Sequence, residues 1–172
     1  MTLQATKPRA RGAKGMIAAA ALSLLASHIC GAEASSTPFA GMSGAWSGGG
    51  TVTLSGGANE RIRCRATYVV GNGGNQLQQS LRCASDSFTF ELKSDVNHSA
   101  GQISGNWTEV TRNVGGRISG RATSGKIQAL VDGPAFAANL ALTLQGDRQS
   151  VVIRSDGSAL TQVAITLSRA SH

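Results

Sequence analysis

The side chains that could do chemistry are few and lie far apart along the chain. A Ser–His–Asp arrangement would have to use His98 with Asp95, but no G-x-S-x-G turn presents a serine nucleophile. Asp86 and Glu91 add carboxylates, yet Glu91 falls on the strand face opposite its apolar neighbours, which predicts a wetted surface. His172 is too distant from His98 for a zinc site, which takes three or four clustered ligands. We therefore expect no catalytic residues, no metal, no cofactor and no enzymatic activity.

The elements around the two cysteines, Cys64 and Cys83, predict a disulfide across a β-hairpin. Apolar and polar residues alternate on both sides of residues 72–75, whose two glycines suit a tight hairpin turn. If Gly73 and Gly74 form a two-residue loop, Cys64 lies directly opposite Cys83. Directly opposed residues lie at the separation that a disulfide needs.

The same register predicts a basic stripe on the outer face of this hairpin. Arg61, Arg63, Arg65 and Arg82 share that face, and Arg65 lies directly opposite Arg82. Two opposed arginines repel each other, so the face should be solvated and electropositive. An anionic envelope component is one partner that this stripe could bind. Nucleic acid is not expected, because the face offers no aromatic side chain for base stacking.

Alternation and turn residues continue to the C-terminus, without a segment of helical period. A turn at residues 124–125 pairs Ile118 with Val131, and another at residues 146–147 continues the pattern. We expect about eight to ten strands in an antiparallel up-and-down meander. A closed barrel is favoured because closure removes exposed strand edges, and a β-sandwich is the alternative.

The N-terminus has the pattern of a secretory signal peptide. Four basic residues precede an apolar stretch at residues 16–26, and Ala32-Glu33-Ala34 supplies a small-residue cleavage site. The apolar stretch is shorter than the roughly 20 residues of a membrane span. We expect a signal peptide at residues 1–34 and Sec export to the periplasm or the exterior of a bacterium. A lipoprotein anchored at Cys30 is the alternative.

After cleavage, residues 35–40 are expected to be a flexible N-terminus and residues 41–172 a single barrel domain. Cleavage removes four of the 16 basic and one of the nine acidic residues, which leaves 12 and eight and a net charge of +4. The mature chain is not expected to span a membrane, since the aromatic girdles of outer-membrane barrels are missing.

The first strand carries a short motif of a known superfamily. Gly44, Ala45 and Trp46, followed by an antiparallel meander, resemble the start of the calycin barrels, which include lipocalins and avidins. The resemblance implies that Gly44 and Trp46 close the barrel base and that Arg169, at the end of the last strand, covers the tryptophan. The chain also resembles uncharacterised exported β-proteins of proteobacteria.

Two functions follow from a barrel of this kind. The first is binding of a small apolar or amphipathic ligand in the lumen. The candidate lumen residues are Tyr68, Leu81, Phe88, Phe90, Trp107, Leu140 and Leu142. The second is a protein-interaction module, such as a protease inhibitor that presents residues 35–39 or a component of the envelope surface. Side chains can also fill a small barrel completely, and a filled lumen would favour the second function.

Overall fold

A computed structural model of the chain describes residues 37–134, 136–156 and 158–170. The predicted signal peptide lies outside the described residues. Ten strands follow a short 3-10 helix at Ala40–Met42. The strands are β1 (Gly44–Leu54), β2 (Asn59–Gly71), β3 (Gln76–Ala84), β4 (Thr89–Ser99), β5 (Gln102–Glu109), β6 (Val114–Thr123), β7 (Lys126–Gly133), β8 (Phe136–Gln145), β9 (Arg148–Ser155) and β10 (Leu160–Arg169).

Every strand pairs antiparallel with its neighbours in sequence, and β1 also pairs with β10. The sheet therefore closes into an all-β, up-and-down barrel, and the predicted fold class is confirmed. Closure leaves no free edge among these strands, which excludes the sandwich alternative. Glycine allows β1 to follow the tight curve of the wall. A Cβ atom at Gly48 or Gly50 would collide with the carbonyl oxygen of Thr166 or Ala164 on β10.

The predicted disulfide is confirmed. Cys64 and Cys83 are bonded and lie directly opposite each other in the pairing of β2 with β3. The turn between them differs from the expected two-residue loop, because Asn72, Gly73 and Gly74 all take positive φ in a 3-10 turn. The loop is therefore longer by one residue at each end, which leaves the register of the hairpin unchanged.

The interior divides into two walls. The packed wall consists of Val52, Ile62, Cys64 and Cys83 on β1 to β3, each at most 2% exposed. The cavity wall lies mainly on β4 to β9. Its inward side chains Leu92, Ile118, Val131, Leu140 and Ile153 are only partly buried, although they face the barrel interior. Parts of β2, β3 and β10 also line the cavity, through Tyr68, Leu77, Leu81, Ile165 and Leu167, so the packed wall is only the group of four residues named above.

Candidate functional site

The open space is an apolar cavity of about 190 Å³ inside the barrel. Among the described residues that line it, none is charged. Small side chains at Ala129 and Ala138 help to leave this volume, since both are buried and lie on the cavity wall. An apolar cavity of about 150 Å³ is large enough to hold benzene, whereas drug-sized ligands use pockets of about 300–1,000 Å³. The volume fits a molecule with one ring or a short chain.

Five of the seven predicted lumen residues line this cavity: Tyr68, Leu81, Trp107, Leu140 and Leu142. Phe88 and Phe90 do not. Their rings stack on each other with centroids 6.4 Å apart and are partly buried against the core near the turn between β3 and β4. The two phenylalanines therefore pack beside the core and do not border the cavity.

Four polar side chains form a hydrogen-bonded network at the cavity, here called the polar network. It consists of Ser94, Gln79, Tyr68 and Gln149. The Ser94 hydroxyl donates to Gln79 Oε1 at 3.0 Å, and Gln79 Nε2 donates to the Tyr68 oxygen at 3.4 Å. The Tyr68 hydroxyl in turn donates to Gln149 Oε1 at 2.8 Å. The first three side chains line the cavity directly.

Tyr68 is neutral in this network. Burial raises the pKa of its hydroxyl to about 12, and the hydrogen bonds with Gln149 and Gln79 only partly offset this effect. The hydroxyl therefore keeps its proton at physiological pH and remains a donor. The polar network offers a ligand hydrogen bonds but no charge.

The floor of the cavity is formed by the segment that precedes β1. Phe39 and Met42 line the cavity and are almost fully buried. The backbone N–H of Phe39 donates to the Gly74 carbonyl at 3.2 Å. We expected residues 35–40 to be flexible, but residues 37–40 instead pack against the barrel because Phe39 inserts its ring into the interior. Residues 35 and 36 lie outside the described part of the chain.

Below this floor, Trp46 and Arg169 meet at the base of the barrel. The Arg169 guanidinium lies 4.4 Å from the centre of the Trp46 ring, a cation–π contact. Arg169 also donates to the carbonyls of Gly41 and Ser43 and pairs with Asp147 at 2.7 Å. Trp46 Nε1 donates to the Met42 carbonyl at 2.8 Å. Gly44 takes a φ of +112° just before the tryptophan, a conformation that suits glycine.

The basic stripe lies on the outside of the barrel. Arg61, Arg63, Arg65 and Arg82 are all exposed, and Arg65 lies opposite Arg82 as the register predicts. Within the described residues none of the four forms an ion pair. The stripe and the cavity are on opposite sides of the sheet, so no single small ligand contacts both.

His98 holds two turns at the base end. Its Nδ1 lies 2.8 Å from Asn75 Oδ1, and its Nε2 accepts from the Gly101 backbone N–H at 3.2 Å. Asp95 instead accepts from Gln78 on the outer surface at 3.1 Å. Over the described part of the chain, no three His, Cys, Asp or Glu side chains cluster as metal ligands do.

Two solved structures share this architecture. The S-type phycobiliprotein lyase CPES from Guillardia theta aligns with a TM-score of 0.55 and 9% identity, over 78% of this chain and 91% of its own. Rv2717c from M. tuberculosis aligns with a TM-score of 0.59 and 14% identity, over 77% and 94%. The fold is a calycin-like barrel. No protein-family model matches the chain, and no curated protein matches its sequence.

Sequence reasoning missed the polar network of this calycin-like barrel as a site. A usable signal existed, since the hairpin register already places Gln79 opposite Tyr68 on the inward face. Alternation before Val151 likewise places Gln149 inward. A polar residue at an inward position is the informative exception in a β-barrel. The floor residue Phe39 gave no such signal, because it precedes the first strand.

The disulfide is typical of a protein outside the cytoplasm, where thiols are not kept reduced. The described part of the chain contains no helix with the length and hydrophobicity that a membrane crossing requires.

Proposed function

We propose that this barrel binds a small, uncharged and largely apolar molecule in its lumen and is not an enzyme. The observation that carries the proposal is the cavity of about 190 Å³, which combines an apolar wall with an uncharged polar network. A pocket with a few convergent polar groups on an apolar lining is the usual form of a small-molecule site.

The cavity supports ligand binding over the interaction-module hypothesis. A protease inhibitor that presents residues 35–39 needs that segment to be free, and Phe39 is fully buried at the cavity floor. An anionic partner that binds the exposed arginine stripe on the outer face is compatible with ligand binding in the lumen.

Methyl NMR tests this function. Titration with toluene is expected to shift the methyl resonances of Leu140, Leu142 and Ile153, which border the cavity. The methyls of Val69 and Leu130 are exposed and serve as controls that do not shift. Unchanged cavity methyls at saturating toluene would contradict the proposal.

A matched pair of variants sharpens the test. Ala129→Leu adds a larger side chain on the cavity wall and is expected to abolish toluene binding. Ala141→Leu makes the same change at an exposed position on β8 and should leave binding unchanged. Equal affinities in both variants would place the toluene outside the cavity.

We further propose that the chain is exported by a bacterium and acts in the periplasm or outside the cell. The leader-like residues 1–34 and the disulfide support this compartment. N-terminal sequencing of the protein from its own host should find Ser35 first, and a retained Met1 would contradict export by cleavage.

A further inference from the structure

The polar network ends in a donor that has no partner. Ser94 donates to Gln79, Gln79 donates to Tyr68, and Tyr68 donates to Gln149 Oε1. Among the described residues, Gln149 Nε2 is the buried side-chain nitrogen or oxygen atom without a hydrogen bond. Buried polar atoms in folded proteins are nearly always paired, and each exception calls for a partner that completes it.

The partner has to come from inside the barrel, because the Gln149 side chain is 0% exposed. Gln149 lies directly opposite Leu167 on β10 and two residues before Val151 on the same face of β9. Both neighbours line the cavity, as does Tyr68, to which the amide is bonded. Gln149 is not itself a lining residue, so its unpartnered N–H group lies directly behind this part of the lining, beside the polar network.

The charge of the surroundings limits the chemistry of that partner. The described cavity lining holds no charged side chain, and Tyr68 keeps its proton. The guanidinium of Arg169 is engaged by Asp147 and by backbone carbonyls at the base. A carboxylate in the cavity would lose its hydration without gaining a counter-charge, which is strongly unfavourable.

We propose that a ligand-induced shift of the lining beside Tyr68 lets Gln149 Nε2 recognise one hydrogen-bond-accepting oxygen, carbonyl or ether, on an uncharged ligand whose apolar body fills the cavity. This inference rests on the proposed function and names the ligand class for that site. Tyr68 acts as a positioning residue, since its hydroxyl occupies Gln149 Oε1 and leaves the amide nitrogen to pair with a ligand oxygen.

A pair of ligands of equal shape tests the proposal. Cyclohexanone carries the carbonyl oxygen, and methylenecyclohexane replaces that oxygen with a methylene group. In the wild-type protein, cyclohexanone is expected to shift the side-chain amide resonance of Gln149, whereas methylenecyclohexane binds the cavity and leaves that resonance in place. If the cavity methyl resonances shift but the Gln149 amide resonance shifts with neither ligand, the recognition role is overturned and ligand binding is retained.

Substitution gives the second arm. Gln149→Met keeps the length of the side chain and removes its donor, so the affinity for cyclohexanone should fall by about fivefold to tenfold while that for methylenecyclohexane is kept. Gln128→Met, at an exposed position on β7, is the matched control and should change neither affinity.

Three other outcomes count against parts of the account. An equal loss for both ligands in Gln149→Met overturns the hydrogen bond and indicates a packing role. A water molecule that stays on Gln149 while cyclohexanone is bound also overturns it. If no cavity methyl resonance shifts with either ligand, the proposed function itself is contradicted.

Discussion

The two walls of the barrel interior are built from similar residues but packed to different degrees. On the packed wall, Val52 and Ile62 are at most 2% exposed. On the cavity wall, Leu140 and Ile153 face the same interior and stay partly uncovered. Natural cores are close-packed, and an apolar wall that borders open space departs from that rule. Under the proposed function, the packed wall stabilises the fold and the cavity wall binds the ligand.

The largest expected effect is at the base, where Trp46 joins the packed wall to the cavity floor. Trp46→Ala should destabilise the protein by about 3–5 kcal/mol, because it removes a fully buried ring and the contact with Arg169. Trp46→Phe keeps most of the apolar area and loses the bond to the Met42 carbonyl, so about 1 kcal/mol is expected. Denaturant unfolding measures both. A cost below 1 kcal/mol for the alanine variant would show that the base does not hold the barrel closed.

The contrast between the walls can be measured with one chemical change made on each. Ile62→Ala on the packed wall should cost about 4 kcal/mol, since it opens a cavity in a filled core. Ile153→Ala on the cavity wall should cost about 2 kcal/mol or less, because part of its side chain already borders open space. Chemical unfolding under identical conditions compares the two. Equal costs would mean that the cavity wall is as tightly packed as its partner.

The polar network makes a prediction about pH that absorbance can follow directly, because Tyr68 is the only tyrosine in the sequence. Tyrosinate absorbance of the folded protein should rise with a midpoint near pH 12, and that of the unfolded chain near pH 10. Burial raises the pKa of the folded state, so the stability contributed by the neutral hydroxyl is complete below pH 10. It is lost as pH rises towards 12. A folded-state midpoint near pH 10 would contradict the buried position of Tyr68.

The smallest effect is expected on the outside of the packed wall. Arg65→Gln removes a like charge directly opposite Arg82 and should stabilise the protein by roughly 0.2–1 kcal/mol at low salt. The gain should shrink as salt screens the repulsion. Arg121→Gln, which faces Gln102 and Gln128, is the control without that repulsion. A stability loss in Arg65→Gln would indicate a favourable partner for this side chain.

The sequence predicts the packed wall better than the cavity. Alternation and turn residues determine which side chains face inward, and the register that pairs Cys64 with Cys83 is one consequence. They do not determine how far opposite walls approach each other. Gly120 faces inward and is closed off by the backbone of β7, whereas Ala129 directly opposite it borders the cavity. Two small residues that look alike in the sequence thus differ in the space they leave.

The floor of the cavity also could not be predicted from the sequence. Phe39 precedes the first strand and belongs to no alternating pattern, so its burial depends on the hydrogen bond to Gly74 and on the space that the finished barrel offers. Gln149 is the intermediate case. Its inward position follows from alternation, but its unpartnered amide nitrogen follows only from the folded structure, in which Tyr68 on β2 bonds the amide oxygen.

The most direct test of the two-wall account is a crystal structure of the protein under xenon pressure. Xenon enters apolar cavities that are empty and reachable, and it needs no knowledge of the natural ligand. If the two walls differ as described, xenon binds between Ala129, Leu140 and Ile153, and none binds beside Val52 or Ile62. A xenon-free interior, with the side chains of the cavity wall packed together, would contradict it.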